Sequence, residues 1–345
     1  MIESYIILFL IIVFIIDCKK CEVGFSKNNA DLYKGISALL IFFHHFSQRT
    51  INDGMFIYIG YLAVGAFFYA SGYGLTKSYI KFGREYYKII LLKIPKLLVM
   101  MVLSIMFSSV FFFITERNLS LADYTYAPLG NRMLNWFFTA IIALYFVYTI
   151  CIVIFTKKIS LFLSLFIIIC LISLLLVFLR NQNIIGSHWL MSLFSFWLGS
   201  FIGGNDWIDD LLFRHRCLFI VIFFGLVFFV QYLLIHYTIK GVVFKLLSYG
   251  LYNICSMLFS LGLYLFCSGY KSKRLLSMCG SLSAEMILVQ NIALGFVKNS
   301  RISIDNKYLY LFICVVAESL LVLIFHKCVS CLFKHIIIKT QNSKY

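Results

Sequence analysis

The sequence predicts an all-α fold: a polytopic transmembrane helix bundle with a ten-helix core and one short extra span at the N-terminus. Three observations carry this. Hydrophobic residues make up 62% of the chain and charged residues 13%, whereas a soluble domain carries about 25% charge. Apolar runs long enough to cross a bilayer recur from one end to the other, giving a mean hydropathy of +0.95. The cations sit almost entirely in the short breaks between those runs.

Taken in order, the expected spans are residues 4–16, 32–48, 56–76, 97–115, 135–155, 159–179, 188–204, 217–238, 244–268, 275–297 and 308–326. The first is short, but Glu3 replaces the basic start of a secretory leader and no small-residue cleavage site follows, so it reads as an extra span. Residues 1–31 then form that span and its connector, 32–326 one membrane domain, and 327–345 a basic tail. No internal repeat interrupts the pattern. The longest break, about 116–134, suits a plain connector better than a lid over the site.

Direction follows from the cations, because Lys and Arg are retained on the cytoplasmic side. With the N-terminus outside and the C-terminus in the cytoplasm, 21 of the 30 Lys and Arg fall inside, among them Lys34, Lys77, Lys81, Arg84, Lys157, Arg214 and Arg274. The net charge of +16 is therefore a matter of topology. Nucleic-acid binding has no RNP motif, zinc-finger spacing or basic arm behind it. Neither a dinucleotide fingerprint nor a phosphate loop is present, which leaves a nucleotide-driven engine unsupported. Most of the eleven cysteines lie in apolar runs and behave as small hydrophobes. The pairs Cys18/Cys21 and Cys328/Cys331 have metal-site spacing, but free thiols are the simpler reading, and no metal or permanently bound cofactor is expected.

Ionisable groups inside spans are costly and mark places where chemistry happens. The run KGISALLIFFHH places His44 and His45 in the first core span. Lys34 and His45 are eleven residues apart, three helical turns plus about 20°, so they share one face roughly 16 Å apart. His44 is turned away by about 100°. A cation at the rim aligned with an imidazole deeper in could hold an anionic cosubstrate and activate a hydroxyl, since histidine exchanges protons near neutrality. The plainer alternative is a hydrogen-bonded His and a snorkelling Lys. Glu285, in GSLSAEMILVQN, either orients a catalytic His or serves as a hydrogen-bonded helix contact. His188, His236 and His326 lie at span ends, where solvation or snorkelling accounts for them. The glycines of GYLAVGAFFYASGYGLTKSY and FWLGSFIGG allow close helix approach.

Several of these runs, in this order, resemble the acyltransferase-3 family of membrane-bound acyltransferases. KGISALLIFFHH is similar to its basic-x10-His helix, GYLAVGAFFYASGYGLTKSY to its FFxxSGY run, and NWFFTAIIALYFVY to its Trp-aromatic helix. FWLGSFIGG and GSLSAEMILVQN resemble two later segments, so the likeness covers about residues 32–297. It implies transfer of an acyl group, usually acetyl, from cytoplasmic acyl-CoA to a hydroxyl of a surface polysaccharide or its lipid-linked precursor. By position, His45 becomes the catalytic base and Lys34 its basic partner, with Glu285 in support. His44, Ser71, Trp136, Tyr145, Lys93, Lys96 and Gln290 become candidate substrate-binding residues. Two departures matter: Lys34 stands where Arg is frequent, which loses bidentate anion recognition, and Gln290 stands where His is common.

In the mechanism this implies, the CoA phosphates meet Lys34, Lys81, Arg84, Lys88, Lys93 and Lys96, and His45 takes the hydroxyl proton and returns it to the thiolate. A covalent acyl-histidine stays open. A transporter or flippase of lipid-linked sugars is the competing reading, weakened by the missing repeat symmetry; a non-catalytic partner in a polysaccharide assembly is a third. The Ile, Phe, Lys and Tyr bias fits an AT-rich bacterial genome, and with it a bacterial cytoplasmic membrane.

Overall fold

A computed structural model describes residues 16–20, 25–50, 56, 58–114, 136–182, 185–236, 242–268, 270–272, 274–299 and 307–342. The expected first span, 4–16, lies almost wholly outside them, as does the loop at 116–134. In chain order the elements are β1 (Ile16–Lys20), α1 (Lys27–Thr50), α2 (Gly60–Phe82), α3 (Tyr86–Ile114), α4 (Trp136–Ile154) and α5 (Lys158–Asn181). A 3-10 turn (Ser187–Leu190) leads to α6 (Phe194–Gly204), α7 (Asp206–Arg214), α8 (Arg216–His236) and α9 (Val242–Cys267). Then come β2 (Tyr270–Ser272), α10 (Arg274–Ser281), α11 (Ser283–Asn299) and α12 (Lys307–Asn342). The bundle is all-α, with one small addition: β1 pairs antiparallel with β2.

Among the described residues six helices, α3, α4, α5, α8, α9 and α12, are long and apolar enough to cross a membrane, and counting the bent pair α10–α11 as one span gives seven. The chain is a multi-pass membrane protein. Four of the six, α3, α5, α8 and α12, bury little of their apolar surface inside the protein. Side chains such as Leu92, Ile159 and Val221 are turned outward, where lipid replaces water. By contrast α1 and α2 are long but too polar to pass that test, and they are buried along most of their length. They can carry polar groups because other helices shield them from lipid.

The expected span 188–204 is broken. The 3-10 turn and the eleven-residue α6 stand in its place, because the break finds partners for its backbone. Asn253 donates from Nδ2 to the Leu190 carbonyl (2.5 Å) and accepts from the Phe194 N–H (3.4 Å), while Ser192 Oγ donates to the Tyr61 carbonyl (2.7 Å). The expected span 275–297 is bent by 69° at Leu282, between α10 and α11. Two features were not expected: α7 interrupts the break before α8, and α12 continues from the span into residues expected to be tail.

α2 and α6 run side by side in the same direction and touch at their glycines. The Gly199 backbone lies against the Tyr69 carbonyl and the Gly72 backbone against the Phe196 carbonyl, leaving no room for a Cβ at either. Gly280 of α10 meets the Asp31 carbonyl of α1 in the same way. These contacts, with the Lys77–Asp206 ion pair (2.7 Å) and Asn29 Nδ2 donating to the Cys267 carbonyl (3.1 Å), bring the start of α1, the end of α2, α7, the end of α9 and α10 to one end of the bundle. That end holds Lys34, Lys77, Lys81, Arg84, Lys157, Arg214 and Arg274, and is called the cationic end below.

Candidate active site

α1 starts at the cationic end, where Ser26 Oγ accepts from the Asn29 N–H (3.4 Å) and caps the helix. Over 24 residues it extends about 36 Å. Lys34, one-third exposed, pairs with Asp31 one turn below (2.9 Å). His45 lies three turns further on, five residues from the helix end, and so closer to the opposite end than to mid-bundle. Both histidines are half-buried and their rings are 5.1 Å apart. His44 Nδ1 donates to the Phe56 carbonyl (3.1 Å), with its ring flat against the Gly60 backbone. His45 Nδ1 lies 3.3 Å from Gln48 Oε1. With that oxygen accepting, Nδ1 carries the proton and Nε2 is the basic nitrogen.

A second group of candidates converges between α2, α3 and α4. Ser71 of α2 lies beside Tyr145 of α4. One turn towards the cationic end, Thr76 bonds the Tyr148 hydroxyl (2.7 Å). Lys93 of α3 donates to the Tyr86 hydroxyl (2.8 Å), and Tyr86 lies near both Tyr145 and Tyr148. Towards the opposite end the same seam is aromatic. Trp136 packs on Phe68 (ring centroids 6.4 Å), His188 (5.0 Å) and Trp189 (5.8 Å). Lys96 instead sits over the Phe333 ring of α12 (5.8 Å).

Glu285 does not reach His45. Its Oε1 lies 3.0 Å from Nδ1 of His326, half-exposed on α12, so His326 is paired rather than merely snorkelling. Leu294, which packs with Phe42 and Phe46 beside the histidines, is nine residues further along α11, about 13 Å of axial rise. Gln290 is buried; its Nε2 donates to the Ile287 carbonyl (3.4 Å), and its Oε1 has no hydrogen-bond partner among the described residues. No three His, Cys, Asp or Glu side chains among the described residues converge as a metal would require. Cys21, half of one thiol pair, lies outside those residues, and Cys328 and Cys331 are free thiols.

Matching the sequence against known families gives one model, described as an acyltransferase domain, over residues 27–326. The chain belongs to the acyltransferase-3 family. Comparison with curated proteins and with solved structures gave no match. The acyltransferase domain begins on the first residue of α1 and ends on His326, so it contains both histidines of α1, the α2–α3–α4 seam and the Glu285–His326 pair.

Sequence reasoning missed one part of this acyltransferase. Asp209 of α7 is buried at the cationic end and accepts from the hydroxyls of Tyr73 (2.9 Å) and Tyr264 (2.5 Å), with Lys77 Nζ at 3.4 Å. Phe25 and Tyr69 pack on the Tyr73 ring, and Phe213 on the Tyr264 ring. The signal was present in DWIDDLLFR: Asp209 shares the inner face with Leu212, three residues on. The hydrogen bond and charge of Lys77 hold the neighbouring Asp206 carboxyl below the usual carboxylate range. Lys77 is thus committed to α7. Of the cations expected at the donor phosphates, Lys34 and Lys88 are paired with Asp31 and Glu85, and Arg84 donates to the Val153 carbonyl.

Proposed function

We propose that this acyltransferase moves an acetyl group from cytoplasmic acetyl-CoA to a hydroxyl of a cell-surface polysaccharide or its lipid-linked precursor, with His45 as general base. The cationic end then faces the cytoplasm of a bacterial cell. The observation that carries this reading is α1 itself, a buried helix inside the family match with Lys34 at the cationic end and His45 three turns above it. A donor with an anionic head and a long arm fits that separation, about 16 Å by helical rise.

In the proposed step, His45 Nε2 takes the hydroxyl proton as the oxygen attacks the thioester carbonyl. The C–S bond breaks and the proton passes to the departing thiolate, so the balance closes as hydroxyl plus thioester giving ester plus thiol. Gln48 keeps Nε2 the basic nitrogen by engaging Nδ1.

The test is purified protein in liposomes, given labelled acetyl-CoA and extracted surface glycan. Wild type is expected to label the glycan, and His45→Ala to lose about 10²–10⁴-fold in rate. A folded His45→Ala protein that labels at the wild-type rate overturns the mechanism. Wild type that consumes no acetyl-CoA but moves lipid-linked sugar across the bilayer overturns the function.

A further inference from the structure

We propose that α7 and the start of α5 form a binding site for an anionic phospholipid of the leaflet at the cationic end. α7 is an amphipathic helix whose inner face is already committed. Asp209 and Leu212 are buried, and Lys77 of α2 pairs with Asp206 at its first residue. Its outer face carries Trp207, Leu211 and Arg214, which follow one another at four and three residues and so form one stripe. Trp207 is 68% exposed and Leu211 43%, with Arg214 exposed beside them.

The surroundings identify what covers this stripe. The first turn of α5 abuts the junction of α6 and α7: the Phe162 ring lies against the Gly204 backbone, and the Phe162 carbonyl accepts from Trp197 Nε1 (3.1 Å). On the other side α8 follows α7 directly. Apolar side chains turned away from the protein begin on both neighbours, Ile159 and Leu163 on α5 and Leu218 and Val221 on α8. α7 thus sits where the lipid-facing surface starts, the layer in which tryptophan places its ring among acyl chains and its N–H among headgroups. Cations flank the stripe at both ends. Lys157 and Lys158, both exposed, stand about one turn before Phe162, near its start, and Arg214 closes it.

Chemistry selects the headgroup. A phosphodiester held by these cations gains charge-assisted hydrogen bonds while its acyl chains cover Trp207 and Leu211. A zwitterionic lipid brings an ammonium of its own to the same cations, and a soluble anion leaves the apolar stripe uncovered. The carboxylates of α7 do not cancel the attraction. Asp206 is paired with Lys77, Asp209 accepts from two tyrosine hydroxyls, and Asp210, exposed, is outnumbered by Lys157, Lys158 and Arg214.

Tryptophan fluorescence tests this with the full chain in vesicles of equal parts phosphatidylcholine and phosphatidylglycerol, bromine being carried on the chains of one lipid or the other. The Trp207 signal is the difference between wild type and Trp207→Phe. We expect brominated phosphatidylglycerol to quench it more strongly than brominated phosphatidylcholine. Lys158→Gln and Arg214→Gln should each lower that preference by up to about fivefold, the effect of one cation near an anionic surface. Lys327→Gln removes an exposed cation of the same end on α12, which packs chiefly on α11 and α3, and should leave the preference in place. Inorganic phosphate added at constant ionic strength should leave it in place too. Equal quenching by the two lipids, no quenching by either, or the same loss in Lys327→Gln as in Lys158→Gln overturns the proposal. Loss of the preference on adding phosphate also overturns it, by making the site one for soluble anions.

Discussion

Gln48 engages Nδ1 of His45, which gives Nε2 the basic role. Gln48→Leu should therefore lower kcat and move the pH profile of transfer while leaving the donor KM in place, a smaller loss than removal of the imidazole. An unchanged profile would mean that Gln48 sets nothing. Glu285 and His326 form the other pair whose geometry makes a prediction. Thermal unfolding in detergent should show Glu285→Ala, His326→Ala and the double variant losing the same amount, since either change alone removes the contact; additive losses would show that the two act separately. The Lys34–His45 alignment could be read from sequence because helical spacing fixes which residues share a face. Glu285 and His326 are 41 positions apart on different helices, and no periodicity of one helix reveals a partner on another. Asp209 was hidden for a related reason: its partners come from α2 and α9.

At the scale of elements, the glycine-rich runs gave a correct expectation of close helix approach, and the structure adds which glycines meet. Gly72 and Gly199 face carbonyls across the α2–α6 contact, whereas Gly225 of α8 has open space around it. Gly199→Ala should thus push α6 off α2 and lower both folded yield and thermal midpoint. Gly225→Ala should be neutral or gain up to about 1 kcal/mol from helix propensity. Equal behaviour of the two would contradict the packing. The break before α6 escaped sequence reading because hydropathy alone cannot see Asn253 and Ser192 supplying partners to an irregular backbone. α7 carries a pH dependence of definite sign. Asp206, held below the usual carboxylate range by Lys77, contributes stability that is present above the ordinary value of about 3.9 and is lost as pH falls through its lowered folded value. The thermal midpoint of wild type should exceed that of Asp206→Asn above about pH 4, and the gap should close in more acid solution. A gap independent of pH would assign the effect to packing.

For the whole molecule, the six apolar helices and the two polar ones play different parts, and that division is what makes a buried acyltransferase site possible. α3, α5, α8 and α12 meet lipid, while α1 and α2 carry histidine, lysine and serine behind them. Hydropathy finds the first group easily. The second is found by its polar residues at helical spacing, which is why the number of passes was less legible than the class of fold. The cationic end is common to α1, α2, α7 and α10, so a single orientation applies to the entire bundle. Native thiols can test it. Cys217 at the start of α8 and Cys331 on the extension of α12 are both exposed at that end, and Gln182, exposed after α5, is at the other. If the cationic end faces the cytoplasm, a membrane-impermeant maleimide will label single-cysteine proteins bearing Cys217 or Cys331 in inside-out vesicles and not in intact cells. A Gln182→Cys protein without the native cysteines will show the reverse. Labelling of Cys217 in intact cells would invert the bundle and put the cationic end, with Lys34, on the side of the membrane where acyl-CoA is absent.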